Sequence, residues 1–191
     1  MARKKRMWQP DYYYHITSRG NRKGDLFSDE EDYKVFLHIL KEVNSKVPFD
    51  LIAYCLMSNH YHLQIRSQHS LSKVMFLINK RYANYFNNKN GWTGHVFEKR
   101  FYSAQIDSYL GMLKVNRYIH LNPIEAGIVK DALEYRWSSY YDYLHPKQVR
   151  FSLINTDTIL EIFFGSEMDK RKKYMEYMNQ EEEITLEIPI K

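Results

Sequence analysis

Residues 51–67 read LIAYCLM-SN-HYHLQIRS, and no other stretch constrains this chain as strongly. Two runs of strand length flank the pair Ser58-Asn59, a spacing that predicts a β-hairpin closed by a two-residue turn. The first run is apolar almost throughout, as expected of a strand buried on both faces. The second alternates. Successive strand residues point to opposite faces, so Tyr61, Leu63 and Ile65 turn to a core while His60, His62, Gln64 and Arg66 share the other face. Two imidazoles side by side admit two readings. They are either two ligands of a divalent metal with the rest of its shell open, or two histidines on a wet sheet face. A third ligand and a reactive group elsewhere in the chain would separate the two.

The flanking elements complete a pattern. YYYHITSR (12–19) alternates as a strand, with Tyr13, His15, Thr17 and Arg19 on one face and Tyr12, Tyr14, Ile16 and Ser18 on the other. RGNRKGD (19–25) is a loop by its Gly and Asn content. Ser28 with Glu31 then predicts a capping box, followed by a helix with an apolar stripe at Tyr33, Phe36, Leu37, Leu40 and Val43. After the hairpin, helical spacing returns over 70–88 with Leu71, Val74, Met75, Ile78, Tyr82, Tyr85 and Phe86. Gly91 and Gly94 break it. VFEKRFYSAQI (96–106) reads as a fourth strand, and 108–121 as a third helix stopped by Pro123.

The order β-α-β-β-α-β-α places the chain in the α+β class. Its first six elements match the ferredoxin-like split βαβ arrangement, a four-stranded antiparallel sheet with helices on one face. The other face is left open for a site, and the histidines lie on that open face. Beyond Pro123 a short helix is predicted over 137–144 and further helices over 156–164 and 166–179, the last capped by Ser166 with Asp169. The last dozen residues read as a disordered tail or a late strand (ITLEIPI). The expected organisation is a domain over 1–145 and a small helical extension with an acidic tail over 146–191.

Charge points to an anionic partner. The chain carries a net charge of +5 with pI ≈ 9.1. Arg3, Lys4, Lys5, Arg6, Arg19, Arg22 and Lys23 crowd its start, whereas Glu181, Glu182 and Glu183 mark the tail. A basic arm beside many aromatic rings suits nucleic acid, whose unpaired bases stack on such rings. The single Cys55 excludes an internal disulfide, and its apolar surroundings suggest a buried, inert thiol. No signal-peptide pattern follows the basic start, no run has the length of a membrane span, and no phosphate-binding P-loop string occurs. A cytoplasmic protein is the expectation.

The third helix holds the residues that answer the histidine pair. At about 100° per residue, Tyr109, Leu110, Met112, Leu113, Ile119 and Leu121 share a broad arc expected to be buried, and His120 falls with them as a packing residue. Gly111, Lys114, Tyr118 and Asn122 share the opposite arc. Tyr118 is then a nucleophile, with Asn122 as third metal ligand and Lys114 contacting phosphate or favouring the phenolate, or it is one more packed ring among 17 tyrosines. A phenol with a pKa of about 10 is a weak nucleophile at neutral pH and needs an activated electrophile or a base. Asn122 precedes a proline, which works against a helical backbone there.

NHYHLQI resembles the HUH motif, two histidines around a hydrophobic residue, here Tyr61 rather than an aliphatic one. NRYIHLNPIEAGIV (116–129) is similar to the tyrosine-bearing helix of single-tyrosine HUH transposases, above all the REP-associated tyrosine transposases. YHITSRGNRK, VFEKRFYSAQI and WSSYYDY follow the family's order, so the resemblance spans about residues 8–145. It implies His60, His62 and Asn122 as ligands of Mg²⁺ or Mn²⁺, and Tyr118 as nucleophile. The implied substrate is single-stranded DNA, often read through a hairpin, cut to a 5′-phosphotyrosine and a 3′-OH. Because the phosphotyrosine conserves the bond energy, no nucleotide cofactor is required. Arg19, Asn21, Arg22, Lys23, Lys80, Arg81, Lys99, Arg100 and Lys114 are candidate DNA contacts, and the protein is expected as a monomer or homodimer. An HUH relaxase or replication initiator is the alternative within this chemistry. A domesticated, non-catalytic binder of structured single-stranded DNA or RNA is the alternative outside it.

Overall fold

The hairpin forms where the sequence places it. In the computed structural model, which describes residues 8–180, β2 (Asp50–Met57) turns at Ser58-Asn59 into β3 (His60–Arg66). With β1 (Tyr13–Arg19) and β4 (Tyr102–Ile106) they form one sheet in the order β2-β3-β1-β4. All three pairings are antiparallel. The basic residues 3–6 and the ITLEIPI segment lie outside the described residues.

Two helices cover the first face of the sheet, α1 (Glu30–Lys46) and α2 (Leu71–Asn90). Tyr14, Ile16, Leu51, Tyr54, Leu56, Tyr61, Leu63 and Ile65 pack there against Phe36, Leu40, Val74, Ile78 and Tyr82. This is the ferredoxin-like unit expected from the sequence. Tyr61 is fully buried in it, its hydroxyl donating to Asn79 Oδ1 at 2.5 Å, so strand alternation keeps it away from the histidine face. A bulge at Ile52 breaks the β2 alternation. Ile52, Ala53, Cys55 and Met57 therefore turn to the second face, which is why β2 reads as continuously apolar.

The second face, expected to be open, is instead largely covered by α3 (Tyr109–Glu125), α4 (Tyr140–Leu144), α5 (Asp157–Leu160) and α6 (Glu167–Met178), and Gln64 is buried there. Met112, Leu113, Val115 and Ile119 of α3 pack there with Tyr143, Ile159, Leu160, Tyr174 and Met178. The segment after 146 also reaches the first core through Phe151. The outer edge of β2 is covered: Leu56 N–H donates to Trp137 C=O, Ser139 N–H to Tyr54 C=O and Asn155 N–H to Leu51 C=O. Such cover removes a strand edge that would otherwise template aggregation.

Several boundaries differ from expectation. The α1 cap is Asp29 with Asp32, one residue beyond the Ser28–Glu31 pair. Asp32 prevails because it is buried and also accepts from Ser28 N–H, Tyr85 Oη and Lys89 Nζ. Of 96–106 only 102–106 pairs as a strand; Val96 C=O accepts from Asn21 N–H and Phe97 bridges Gly20, so this stretch leaves the sheet to brace the loop after β1. Pro123 does not stop α3, which runs to Glu125 and ends at Gly127 with φ +67°. Tyr109 and Leu110 are exposed, because they sit in the first turn of α3, ahead of the residues that reach the sheet. Helix 156–164 shrinks to four residues, whereas the Ser166–Asp169 capping box forms as expected.

Candidate active site

The second face of β3 presents His60 and His62, and β1 supplies its neighbours. Register sets Arg19 opposite His60 and Thr17 opposite His62. β4 sets Tyr102 opposite Thr17. Helix α3 crosses above them. Because it passes unbroken through Pro123, Tyr118 and Asn122 stay one turn apart on the face turned to the sheet. A pocket results, lined by His60, His62, Tyr118 and Asn122 together with Arg19, Lys23, Lys99 and Arg100. His15, Thr17, Ser18, Glu98, Tyr102, Glu125 and Ala126 complete the lining.

The rings are close. The Tyr118 ring stands edge-on to His62 at 5.5 Å between centroids and to His15 at 5.7 Å. His60 and His62 stand edge to face at 4.9 Å. The Asn122 amide is within polar reach of both the His60 ring and the Tyr118 phenol.

Each histidine of the pair has its Nδ1 engaged. His60 Nδ1 lies 2.7 Å from Asn59 Oδ1, and Asn59 is itself held because its Nδ2 donates to Lys23 C=O. An amide oxygen only accepts, so His60 carries its hydrogen on Nδ1 and presents a bare Nε2. His62 Nδ1 lies 2.9 Å from His15 Nε2, and its Nε2 is buried with no protein partner. An orphaned buried nitrogen is rare enough to require an explanation. Two Nε2 atoms with an amide oxygen beside them form a neutral donor set that fits a divalent cation with positions left for substrate. Among the described residues no group of three His, Cys, Asp or Glu could hold a metal, so the set depends on Asn122.

Electrostatics keep these groups uncharged. Burial lowers His60 to about 4, with the Arg19 charge adding to the shift. Burial, then His15, His60 and Arg19, drive His62 well below the usual imidazole range. Burial raises the Tyr118 phenol against the opposing pull of Asn122 and Arg19. Neutral imidazoles are the form that ligates metal.

A buried polar network fixes α3 over the sheet. Asn116 Nδ2 donates to Gln64 Oε1 at 3.2 Å and Tyr143 Oη at 3.0 Å, and Tyr174 Oη donates to Asn116 Oδ1 at 2.6 Å. His120 bridges Tyr174 Oη and Ser139 Oγ, each at 2.7 Å. His120 is thus a packing residue, as its helical phase implied.

The basic candidates divide. Arg19, Lys23, Lys99 and Arg100 line the pocket, whereas Asn21 and Arg22 line an adjacent groove with the exposed Trp92. Lys114 lines neither, and Lys80 lines a third groove beside Phe76. The turn carrying Arg22 and Lys23 is strained: both have positive φ, 54° and 61°. It closes tightly, since a Cβ on Gly20 would stand 2.0 Å from Gly24 O. Non-glycine residues in this region cost on the order of 1–3 kcal/mol each and gather at functional sites. Sequence reading missed His15 and Asn59. Both were findable: His15 shares the strand face of Thr17 and Arg19, and Asn59 is adjacent to His60.

Comparison with known proteins agrees with this architecture. The family model described as "Transposase IS200 like" matches residues 8–122. No curated protein matches the sequence. Among solved structures, a REP-associated tyrosine transposase bound to a REP hairpin is similar, with a TM-score of 0.65 and 20% identity over 78% of this chain and 88% of that one. A Deinococcus radiodurans R1 protein assigned as a transposase aligns at a TM-score of 0.44 and 16% identity, over 62% of this chain and 95% of that one. The described residues contain no helix long and apolar enough to cross a membrane. With more than half of its length matched by the model, the chain belongs to the family of IS200-like transposases.

Proposed function

We propose that this transposase nicks and joins single-stranded DNA through a phosphotyrosine at Tyr118. The observation that carries the reading is the edge-on approach of Tyr118 to His62, 5.5 Å between ring centroids, beside the orphaned His62 Nε2. The Tyr118 hydroxyl attacks the scissile phosphorus in line. A bond forms from the phenolic oxygen to phosphorus, and the bond to the 3′ oxygen of the preceding nucleotide breaks. The phenol gives up its proton and the leaving 3′ oxygen takes one up. The products are a 5′-phosphotyrosine and a 3′-OH, and the reverse reaction rejoins the strand without a nucleotide cofactor.

His60, His62 and Asn122 would hold a divalent ion, Mg²⁺ or Mn²⁺ as the family resemblance implies. When bound, such an ion would neutralise and polarise the scissile phosphate. Arg19, Lys23, Lys99 and Arg100 draw the DNA backbone into the pocket, and Asn21 and Arg22 continue the basic path. A hairpin with an unpaired flank is the expected substrate, in keeping with the hairpin held by the similar structure. One chain supplies both ligands and nucleophile, which suits a site built within a monomer. Residues 1–145 are the catalytic unit, and the helices after 146 buttress α3.

The test is an adduct assay. Labelled hairpin oligonucleotides copied from the flanks of the gene are incubated with Mg²⁺ or Mn²⁺ and run on a denaturing gel. Label should shift to the protein, and the shift should vanish with chelator and with Tyr118→Phe. Binding without an adduct in any metal would reject nucleophilic catalysis in favour of a non-catalytic reader of structured strands.

A further inference from the structure

His15 is the most deeply placed group of the pocket, 1% exposed in the middle of β1. Its ring stacks on His62 at 5.2 Å with an interplanar angle of 17°. It also touches the Tyr118 ring edge-on. The register sets His15 opposite Gln64, so His62 is its diagonal neighbour across the strand pair, within reach of an aromatic side chain. Its one polar contact is the 2.9 Å approach of Nε2 to His62 Nδ1, and its own Nδ1 is buried without a partner.

A neutral imidazole has one N–H and one lone pair, so the contact has two arrangements. In one, His62 Nδ1–H donates to His15 Nε2, and His62 Nε2 offers its lone pair to the pocket. In the other, His15 Nε2–H donates, and His62 must carry its hydrogen on Nε2, where it would block coordination. Each arrangement strands one buried N–H, His15 Nδ1–H in the first and His62 Nε2–H in the second. Only the first is compatible with His62 as a ligand.

We propose that His15 is a positioning residue: it accepts the Nδ1–H of His62, fixes that tautomer and aims Nε2 at the metal. It does for His62 what Asn59 does for His60. Ligating histidines elsewhere commonly give this hydrogen to a carboxylate. A carboxylate here would add a further negative charge, beside Glu98 and Glu125, to a pocket that must admit a phosphate diester. An imidazole accepts the same hydrogen bond without that charge. Tyr118 packs on both rings, so His15 also braces the wall against which the nucleophile stands. This inference rests on the proposed ligand role of His62.

The experiment measures Mn²⁺ affinity by isothermal titration on the full chain, with thermal unfolding and metal-free hairpin binding as controls. His15→Phe and His15→Met both fill the space and remove the acceptor, and methionine adapts to the gap if the rigid ring does not. Both should weaken Mn²⁺ binding by about 10–100-fold, the usual effect of losing an outer-shell partner. Hairpin binding without metal should stay within about twofold, a change of under half a kcal/mol. His15→Gln restores a neutral acceptor and should recover most of the affinity, which a purely structural role would not predict. His62→Ala separates the two levels. If His62→Ala loses Mn²⁺ but His15→Phe and His15→Met bind as wild type, or if His15→Gln is as impaired as they are, the role given to His15 is wrong. If His62→Ala itself binds Mn²⁺ normally, the ligand assignment beneath it has failed.

Discussion

The two faces of the sheet use the same strands for opposite purposes. The first buries an apolar layer, with Phe36, Tyr61, Leu63 and Tyr82 at its centre. The second buries His15, His62, Gln64, Asn116 and His120 among its apolar residues. Apolar packing is non-directional, whereas buried hydrogen-bonded groups hold their partners in one geometry or leave costly orphans. The first face therefore contributes stability, and the second fixes positions at the expense of some stability. All three fully covered histidines of the described residues lie on the second face.

The largest effects should separate the faces cleanly. Phe36→Ala should cost about 3–5 kcal/mol by opening a cavity, out of a total of about 5–15 kcal/mol for a domain. Chemical denaturation would read this as a lower midpoint, while the surviving folded fraction still forms adduct. Tyr118→Phe should do the reverse, abolishing adduct while moving stability by less than about 0.5 kcal/mol. A Phe36→Ala protein that is folded but inert would break the distinction.

Asn116→Leu tests the network between the faces. It strands Gln64 Oε1 and takes one partner each from the hydroxyls of Tyr143 and Tyr174, which keep Ile52 C=O and His120 Nδ1, and should cost about 1–3 kcal/mol. Because α3 loses its registration, adduct formation per folded molecule should also fall. Unchanged cleavage by the folded fraction would show that apolar packing alone places Tyr118.

Much of this contrast was legible in the sequence. Period-two alternation separated Tyr61 from His60 and His62, and the helical phase of 109–122 set Tyr118 and Asn122 apart from His120. Both signals depend only on backbone geometry. The errors fell where tertiary contacts decide. Asp32 took the α1 cap from Glu31 because Tyr85 and Lys89 reach it from α2. Residues 96–101 have strand-like composition, but the backbone of 96–98 pairs with the end of β1 and the loop after it. The His15–His62 contact joins residues 47 apart, and no local pattern announces a diagonal pair between strands distant in sequence.

The response to acid is gradual and accumulates over several rings. Burial lowers His15 to about 4 and His120 to about 3, against an ordinary value of 6.5. Above pH 6.5 folded and unfolded chains both hold these rings neutral, and the stabilisation is complete. As pH falls below 6.5, the unfolded chain takes up protons that the folded rings refuse. Stability should then drop by about 1.4 kcal/mol per pH unit for each ring, until the folded values are reached. His60, also lowered to about 4, and His62, driven well below the ordinary value, add to the drop. Denaturant midpoints between pH 7 and pH 4.5 would read the slope in wild type and in His120→Gln. An equal slope in both would remove His120 from the account.

The smallest expected effect has two signs. Arg22 holds φ 54° and ψ 28°, a backbone conformation that glycine adopts at little cost. Arg22→Gly should therefore relieve strain, and the greater entropy of an unfolded glycine offsets part of the gain. A net stabilisation of about 0.5–1 kcal/mol is expected. The same change removes a guanidinium from the groove shared with Trp92, and hairpin affinity should fall by about fivefold, or about 1 kcal/mol, with a shallower salt dependence. Trp92→Leu should weaken the same binding by a similar amount through lost base stacking, with no change in stability. Opposite shifts in melting temperature and hairpin affinity for Arg22→Gly would mean that the strain at this turn is kept for its contact with DNA. A variant that is more stable and binds as before would mean that the turn serves only to close the chain above the second face.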